Sequence, residues 1–168
     1  MANIDERIYT AAVTDGMPPV LATLIVAQAR HETSNYSSNV FLTCNNAFGY
    51  KYVGQSTALG PCTGSPEGND YAKYFDVEQS THELTGWIKR RQREGKFPAD
   101  LEQITTPDQY AELLKTAGYF TSPLQTYING LISGLQKISS IIGSTGGITA
   151  IVIILALGIY FFRKKIFP

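Results

Sequence analysis

The sequence predicts an α+β domain in which helices dominate, followed by a single C-terminal transmembrane helix. Several segments place apolar residues at a period near 3.6, which is typical of helices packed on a core. Between residues 45 and 70, glycine, serine, threonine and proline alternate with aromatic residues, which indicates a small irregular β-lobe. An uncharged apolar run fills residues 148–162. With 168 residues, the chain has room for one domain and a short appendage.

The helices of the domain are predicted over residues 4–13, 18–34, 77–94, 107–117 and 123–137. Three of them begin at prolines, which the first turn of a helix tolerates because its amides have no partner within the helix. Phe48–Val53 and Tyr71–Phe75 are predicted as short strands or extended segments that frame a loop. We therefore divide the chain into a domain at 1–136, a glycine- and serine-containing hinge or start of the anchor helix at 137–147, and a membrane anchor at 148–168.

The composition favours a sugar ligand over a nucleic acid. Lysine plus arginine and aspartate plus glutamate both number 14, so no overall basic field is available to bind phosphates. Ten tyrosines offer an apolar face and a hydroxyl together, which suits sugar recognition. Cys44 and Cys62 flank the glycine-rich stretch and are either a disulfide that clamps it or two free thiols. We expect no metal site and no cofactor.

The run Ile148–Phe162 predicts a membrane anchor. Fifteen residues span only about 22 Å as a helix, but the uncharged sequence before them, back to Ile138, supplies the length that a bilayer core of about 30 Å requires. A basic stretch ends the segment: Arg163, Lys164 and Lys165. The positive-inside rule keeps that end cytoplasmic and the domain on the other side. A buried core helix is the alternative, although little of the chain is left to surround it.

The setting of this single-pass protein is either the virion membrane of a phage or a bacterial cell membrane. We expect no signal peptide, because charged residues interrupt the N-terminal segment. Gly143 and Gly147 form a small-xxx-small pair, which either packs helices together in self-association or serves as a hinge. Virion proteins are further candidate partners.

Glu32 is the strongest candidate for a catalytic group. Leu21, Ile25, Gln28 and Glu32 share one face of the second predicted helix. A carboxylate that continues an apolar stripe at a helix end is partly buried, which raises its pKa and lets it donate a proton near neutral pH. Lysozyme uses an acid of this kind. The alternative is a solvated carboxylate at the helix end.

Several segments, in this order, resemble the glucosaminidase family of peptidoglycan hydrolases, the flagellar-muramidase type of the lysozyme-like superfamily. They are Ala27–Tyr36, Asn45–Lys51, Tyr71–Tyr74, Trp87, Tyr110–Thr121 and Tyr127. The resemblance covers about residues 18–131. It implies a lysozyme-like domain, a peptidoglycan glycan strand as substrate, and Glu32 as general acid.

The resemblance also implies a set of substrate-binding residues: Asn46, Phe48, Gly49, Tyr74 and Tyr119. Gly49 lets backbone approach a sugar closely, and Tyr119 corresponds to the family's tyrosine near the cleaved sugar. Glycosidases usually employ a second carboxylate. Glu67 is our first candidate for it and Asp70 the second.

The predicted function is therefore membrane-tethered hydrolysis of peptidoglycan by an endo-β-N-acetylglucosaminidase or a muramidase, for local lysis of the wall. A lytic transglycosylase with the same fold and the same single glutamate is an alternative. A non-catalytic wall-binding or structural protein of a phage particle is another.

Overall fold

The computed structural model describes residues 3–63 and 70–142, without the side chains of residues 139–142. The described elements are α1 (Ile4–Thr14), α2 (Pro19–Glu32), α3 (Asn39–Cys44), β1 (Gly60–Pro61), β2 (Ala72–Lys73), α4 (Val77–Arg93), a 3-10 turn (Leu101–Gln103), α5 (Pro107–Thr116) and α6 (Leu124–Ile142). The fold is predominantly helical α+β with a two-stranded sheet, which confirms the fold class predicted for the domain.

Helix α2 is the centre of the domain, and α1, α5 and α6 pack on it. Every side chain from Leu21 to Arg30 is buried, so the apolar face predicted from the sequence is part of a helix that is enclosed on all sides. The helix ends at Glu32, two residues before the predicted end, because Ser34 to Tyr36 adopt left-handed backbone conformations that a right-handed helix excludes.

Helix α6 lies unusually close to α2, at glycine residues. A Cβ added at Gly134 would lie 2.6 Å from the carbonyl oxygen of Ala27, so the two backbones nearly touch. One turn earlier, a Cβ at Gly130 would overlap the ring of His31. Because Gly130 and Gly134 have no side chain, α6 can approach α2 this closely. Helix α6 continues to Ile142, across the boundary that we placed after residue 136.

The β-lobe is smaller than expected. Strands β1 and β2 pair antiparallel, with Gly60 opposite Lys73, so the predicted strand Tyr71–Phe75 is confirmed at its centre. Of the two alternatives predicted for Phe48–Val53, the strand is wrong, since only Lys51 forms an isolated bridge, to Tyr71. Glycines with positive φ at both ends of that segment bend the chain away from an extended path.

The remaining helices follow local signals. The predicted helices at 77–94 and 107–117 are confirmed as α4 and α5, to within one residue at their ends. Asp76 caps the first, and Thr106 with Gln109 forms a capping box at the second. The short helix α3 and the 3-10 turn were not predicted, because each is too short to show a periodic pattern.

In the ranges 3–63 and 70–142, no helix combines the length and apolar character needed to cross a membrane. The anchor predicted at 148–162 lies outside the described residues, as do residues 143–147 of the predicted hinge.

The close approach at Gly134 generates a stability prediction. Gly134→Ala places a methyl group against the backbone of Ala27, and we expect the free energy of unfolding to fall by about 1–3 kcal/mol, the usual effect of overpacking. Gly86→Ala is the matched control, because its Cβ would meet only the flexible Arg90 side chain at 3.6 Å. Alanine there favours the helix by about 0.5–1 kcal/mol. Urea unfolding of both variants checks this, and equal stabilities would contradict the close approach.

Candidate active site

Glu32 is the last residue of α2, and its carboxylate is largely withdrawn from water. Its Oε1 accepts a hydrogen bond of 2.6 Å from the hydroxyl of Tyr127 on α6. Burial raises the pKa of Glu32 above its ordinary value, and the hydrogen bond from Tyr127 opposes this by favouring the ionised form. Burial is the larger effect, so the carboxyl holds its proton to a higher pH than a solvated glutamate does.

The two oxygens of Glu32 are in different surroundings. The Tyr127 hydroxyl donates to Oε1, whereas Oε2 lies on the side of the loop at residues 45–50. On that side lies Gly49, whose added Cβ would be 3.6 Å from Oε2. Gly49 has a φ of +66°, in the left-handed region that residues with a side chain rarely adopt. Oε2 thus faces a residue without a side chain.

Aromatic rings hold Tyr127 in place. Phe120 stacks on it with ring centroids 3.8 Å apart, and His31 meets it edge-on at 4.9 Å. Burial, reinforced by the nearby charge of Glu32, raises the pKa of Tyr127 well above its usual range, so the phenol remains a donor. Burial lowers the pKa of His31. This histidine packs between α2 and α6, against Tyr127 and beside Gly130.

Asn46 anchors the loop that carries Gly49. It is 1% exposed, and its amide nitrogen donates to the carbonyl oxygens of Tyr50 at 2.8 Å and Ala72 at 2.9 Å. Its Oδ1 accepts from the backbone amide of Tyr50 at 3.1 Å. Backbone groups therefore engage both ends of the side chain, which ties the loop to β2.

Tyr119 holds the same loop from the other side. Its hydroxyl donates to the carbonyl oxygen of Phe48 at 2.6 Å, directly before Gly49. Its ring contacts Trp87 at 5.3 Å and Tyr50 at 6.0 Å between centroids. Gly118, with a φ of +79°, turns the chain after α5 and directs Tyr119 inward, as its position at the helix end predicts.

The other predicted binding residues lie in the packed interior. Phe48 is 2% exposed and Tyr74 is fully buried, with its backbone amide donating to the carbonyl oxygen of Cys44. Burial raises the pKa of Tyr74 to about 12. Of the five residues predicted to bind substrate, Gly49 alone is exposed. The others surround or support it.

Cys44 and Cys62 form a disulfide, with Cα atoms 5.8 Å apart. The bond joins the end of α3 to the segment after β1. It closes the stretch that contains Asn46 and Gly49 into a covalent loop, so this stretch has less freedom to move away from Glu32.

Of the two carboxylates predicted as partners of Glu32, the structure describes only Asp70. Glu67 lies outside the described residues. Asp70 is exposed on the β-lobe, where its carbonyl oxygen accepts from the amide of Tyr52 at 2.7 Å. Sequence reasoning missed Glu83 on α4, which is 7% exposed and accepts from the Thr57 hydroxyl and from Arg90. Glu83 therefore links α4 to the β-lobe.

Sequence reasoning also gave Tyr127 no role beyond its place in the resemblance. A signal for it exists: Tyr127, Gly130 and Gly134 recur on one face of α6. Two glycines in line with a tyrosine indicate close contact with another helix. Within the described residues, no three His, Cys, Asp or Glu side chains are grouped so that they could hold a metal ion.

A largely buried carboxyl with a raised pKa and a tyrosine as hydrogen-bond partner is chemically suited to donating a proton. The Glucosaminidase family model, described as mannosyl-glycoprotein endo-beta-N-acetylglucosaminidase, matches residues 11–140. The chain therefore belongs to the Glucosaminidase family, which confirms the resemblance and indicates a glycoside hydrolase of peptidoglycan. No curated protein and no solved structure matches the chain.

The raised pKa of Glu32 generates a prediction about stability and pH. The folded protein binds this proton more tightly than the unfolded chain, so wild-type stability falls as pH rises from the ordinary glutamate pKa through the raised one. Glu32→Gln carries no ionisable group there and still accepts from Tyr127. We expect the variant to be more stable than the wild type at pH 7 and to lose that advantage below pH 4.

Thermal unfolding across this pH range measures the difference. Glu112→Gln, at an exposed position of α5, is the control and should follow the wild type throughout. A Glu32→Gln variant whose advantage did not change with pH would contradict the burial of an ionisable carboxyl.

Proposed function

We propose that this protein cleaves the glycan strand of peptidoglycan as an endo-β-N-acetylglucosaminidase, with Glu32 as the general acid. The observation that carries the proposal is the environment of Glu32: a carboxyl with a raised pKa, one oxygen bound by Tyr127, and the other facing Gly49. An acid in this state is protonated where a solvated glutamate is already ionised.

The chemistry follows from the position of the proton. As the glycosidic C–O bond breaks, its electron pair goes to the leaving oxygen, which takes the proton from Oε2. The Tyr127 hydroxyl stabilises the carboxylate that remains, because its hydrogen bond to Oε1 strengthens as charge develops. Water then adds to the anomeric carbon and gives its proton to a second group that acts as base, and exchange with solvent restores the proton on Glu32.

The loop at residues 45–50 contributes by position. Gly49 leaves room for the leaving sugar beside Oε2. Asn46 and Tyr119 hold the backbone on either side of it, and their polar atoms are engaged in doing so. We therefore assign these two residues, with the buried Phe48 and Tyr74, to supporting the site. Gly49 is assigned to direct contact with substrate.

A carboxylate that activates the attacking water completes the proposal. Asp70 is exposed on the β-lobe and is available for this role, and Glu67 in the same lobe remains the other candidate. Glu83 is occupied by Thr57 and Arg90, which suits a structural role. The substrate's own acetamido group is an alternative to any second carboxylate.

Glu32→Gln tests the proposal. The variant keeps the shape of the site but cannot donate the proton, and we expect hydrolysis of purified peptidoglycan to fall by about 10²–10⁴-fold, the range of general-acid catalysis. Glu112→Gln on α5 is again the control and should retain activity. Full activity of Glu32→Gln would overturn the assignment, and a wild type that binds peptidoglycan without cleaving it would indicate a wall-binding protein.

Mass spectrometry of the fragments released by the wild type identifies the bond that is cleaved. Reducing N-acetylglucosamine ends are expected. Reducing muramic acid ends would indicate a muramidase instead, and anhydro ends would indicate a lytic transglycosylase.

We also propose that a C-terminal anchor tethers the enzyme to a membrane. The support is the sequence: residues 148–162 carry no charge, and Arg163, Lys164 and Lys165 follow them. A phage membrane is our preferred setting, because local opening of the wall during entry requires a lytic domain held at the particle surface. A bacterial membrane, for wall remodelling, is the alternative.

Removal of residues 143–168 tests the tether. We expect the full chain in the membrane fraction after expression in bacteria, and the shortened chain outside it with its peptidoglycan hydrolysis retained, because the described site ends before residue 143. Replacing Arg163, Lys164 and Lys165 by glutamine is the control, because it removes the charges and keeps the apolar run at residues 148–162. A full chain that fractionates away from membranes would contradict the anchor, and detection in purified particles would identify the phage setting.

A further inference from the structure

The turn that follows Glu32 has an unusual backbone. Ser34, Asn35 and Tyr36 have φ values of 49°, 60° and 67°, so three successive residues other than glycine are left-handed. Side chains disfavour this conformation, and a run of three is held only where surrounding contacts enforce it. The turn begins two residues after the proposed catalytic acid.

Local hydrogen bonds account for part of what holds the turn. The Thr33 hydroxyl donates to the carbonyl oxygen of Ala29 at 2.6 Å and accepts from the amide of Tyr36 at 2.8 Å. The amide of Asn35 donates to the carbonyl oxygen of Arg30 at 2.7 Å. These bonds fold the turn back over the last turn of α2, but they lie within the segment and leave it without an external support.

The external support comes from α1. The carboxylate of Asp5 accepts from Arg30 Nε at 2.9 Å and Nη2 at 2.6 Å, and from the Tyr36 hydroxyl at 2.6 Å. The Arg30 guanidinium lies 5.0 Å from the centre of the Tyr36 ring. The side chains of Arg30 and Asp5 are only 9% and 12% exposed. The Asp5 carboxylate thus binds both Arg30, which precedes Glu32 on α2, and Tyr36, which lies in the turn after it.

We propose that Asp5 is a positioning residue for Glu32. By holding Arg30 and Tyr36 together, it fixes the point at which α2 ends and so the position of the backbone that carries Glu32. The catalytic part of this inference rests on the proposed function of Glu32. We call the contacts of Asp5 with Arg30 and Tyr36 the clamp. The family match begins at residue 11, so Asp5 lies in the segment that precedes the matched residues.

Loss of the clamp has a defined effect on Glu32. Without Asp5 the turn relaxes and the last turn of α2, which carries Glu32, frays, so that the carboxyl moves from its buried position and becomes hydrated. Other groups remain around the Glu32 carboxyl. The Tyr127 hydroxyl on α6 donates to Oε1. Tyr110 on α5 and Tyr119 in the turn before α6 are close enough that the charge of Glu32 adds to the effect of burial in raising their pKa. His31 contacts Tyr127 from α2 itself. Since burial is the main cause of the raised pKa of Glu32, hydration moves that pKa down.

Asp5→Asn and Tyr36→Phe in the full chain, in detergent micelles, test the proposal. Tyr36→Phe removes one hydroxyl and keeps the pair of Asp5 with Arg30, so it remains informative if Asp5→Asn fails to fold. Arg7→Gln is the matched control, because Arg7 also ties α1 to another element, with Nε 2.7 Å from Glu78 on α4, but has no contact with the turn. Replacing Arg7 therefore weakens the packing of α1 on α4 and leaves the contacts of Asp5 with Arg30 and Tyr36 in place.

The first measurement is a ¹³C NMR titration of the Glu32 carboxyl, assigned from its absence in Glu32→Gln. We expect a lower pKa for Glu32 in Asp5→Asn and Tyr36→Phe than in the wild type, and no shift in Arg7→Gln. Folded Asp5→Asn and Tyr36→Phe variants with the wild-type titration would overturn the positioning role, whatever the protein's activity.

The second measurement is hydrolysis of soluble peptidoglycan fragments as a function of pH. We expect kcat to fall at least about tenfold in both clamp variants with little change in KM, because small displacements of a catalytic group have effects of this size. The alkaline limb of the profile should move to lower pH, while Arg7→Gln follows the wild type. A wild type without activity whose clamp variants still shift the titration would refute the proposed function and leave the positioning role supported.

Discussion

The hydrogen bond from Tyr127 to Glu32 joins residues 95 positions apart and brings together the two helices that define the site. It forms because glycine at position 134 lets the backbone of α6 reach that of α2. Burial of Glu32 and donation from Tyr127 act on the pKa of the carboxyl in opposite directions. Burial favours the protonated form of Glu32, and the phenol keeps the ionised form from being an unpaired buried charge.

The opposite wall of the site is held by different means. Asn46 and Tyr119 fix the backbone around Gly49 through hydrogen bonds, and the disulfide between Cys44 and Cys62 closes the segment covalently. The acid is therefore placed by helix packing, whereas the residue that faces it is placed by polar contacts to a loop. Preorganisation of a site depends on such supporting contacts as much as on the reacting group.

The sequence was sufficient for the features that depend on local pattern. Apolar period and capping residues predict α4 and α5, and the stripe that ends at Glu32 predicts a partly buried acid. The segment Phe48–Val53 has strand composition, but distant contacts of Asn46 and the positive φ of Gly49 override it. The partner of Glu32 and the left-handed turn after it depend on contacts across the chain, which no local pattern reports.

The line of Tyr127, Gly130 and Gly134 on α6 has a consequence for how the chain tolerates changes of length. One residue inserted between Tyr127 and Gly134 would turn the phenol by about 100° and shift it by about 1.5 Å relative to the glycine contact. The helices would still pack, but the hydroxyl would leave Glu32. Insertions in the exposed β-lobe carry no such penalty. Length variation among related chains is therefore expected in the lobe and not in this part of α6, where spacing is as strict a requirement as residue identity.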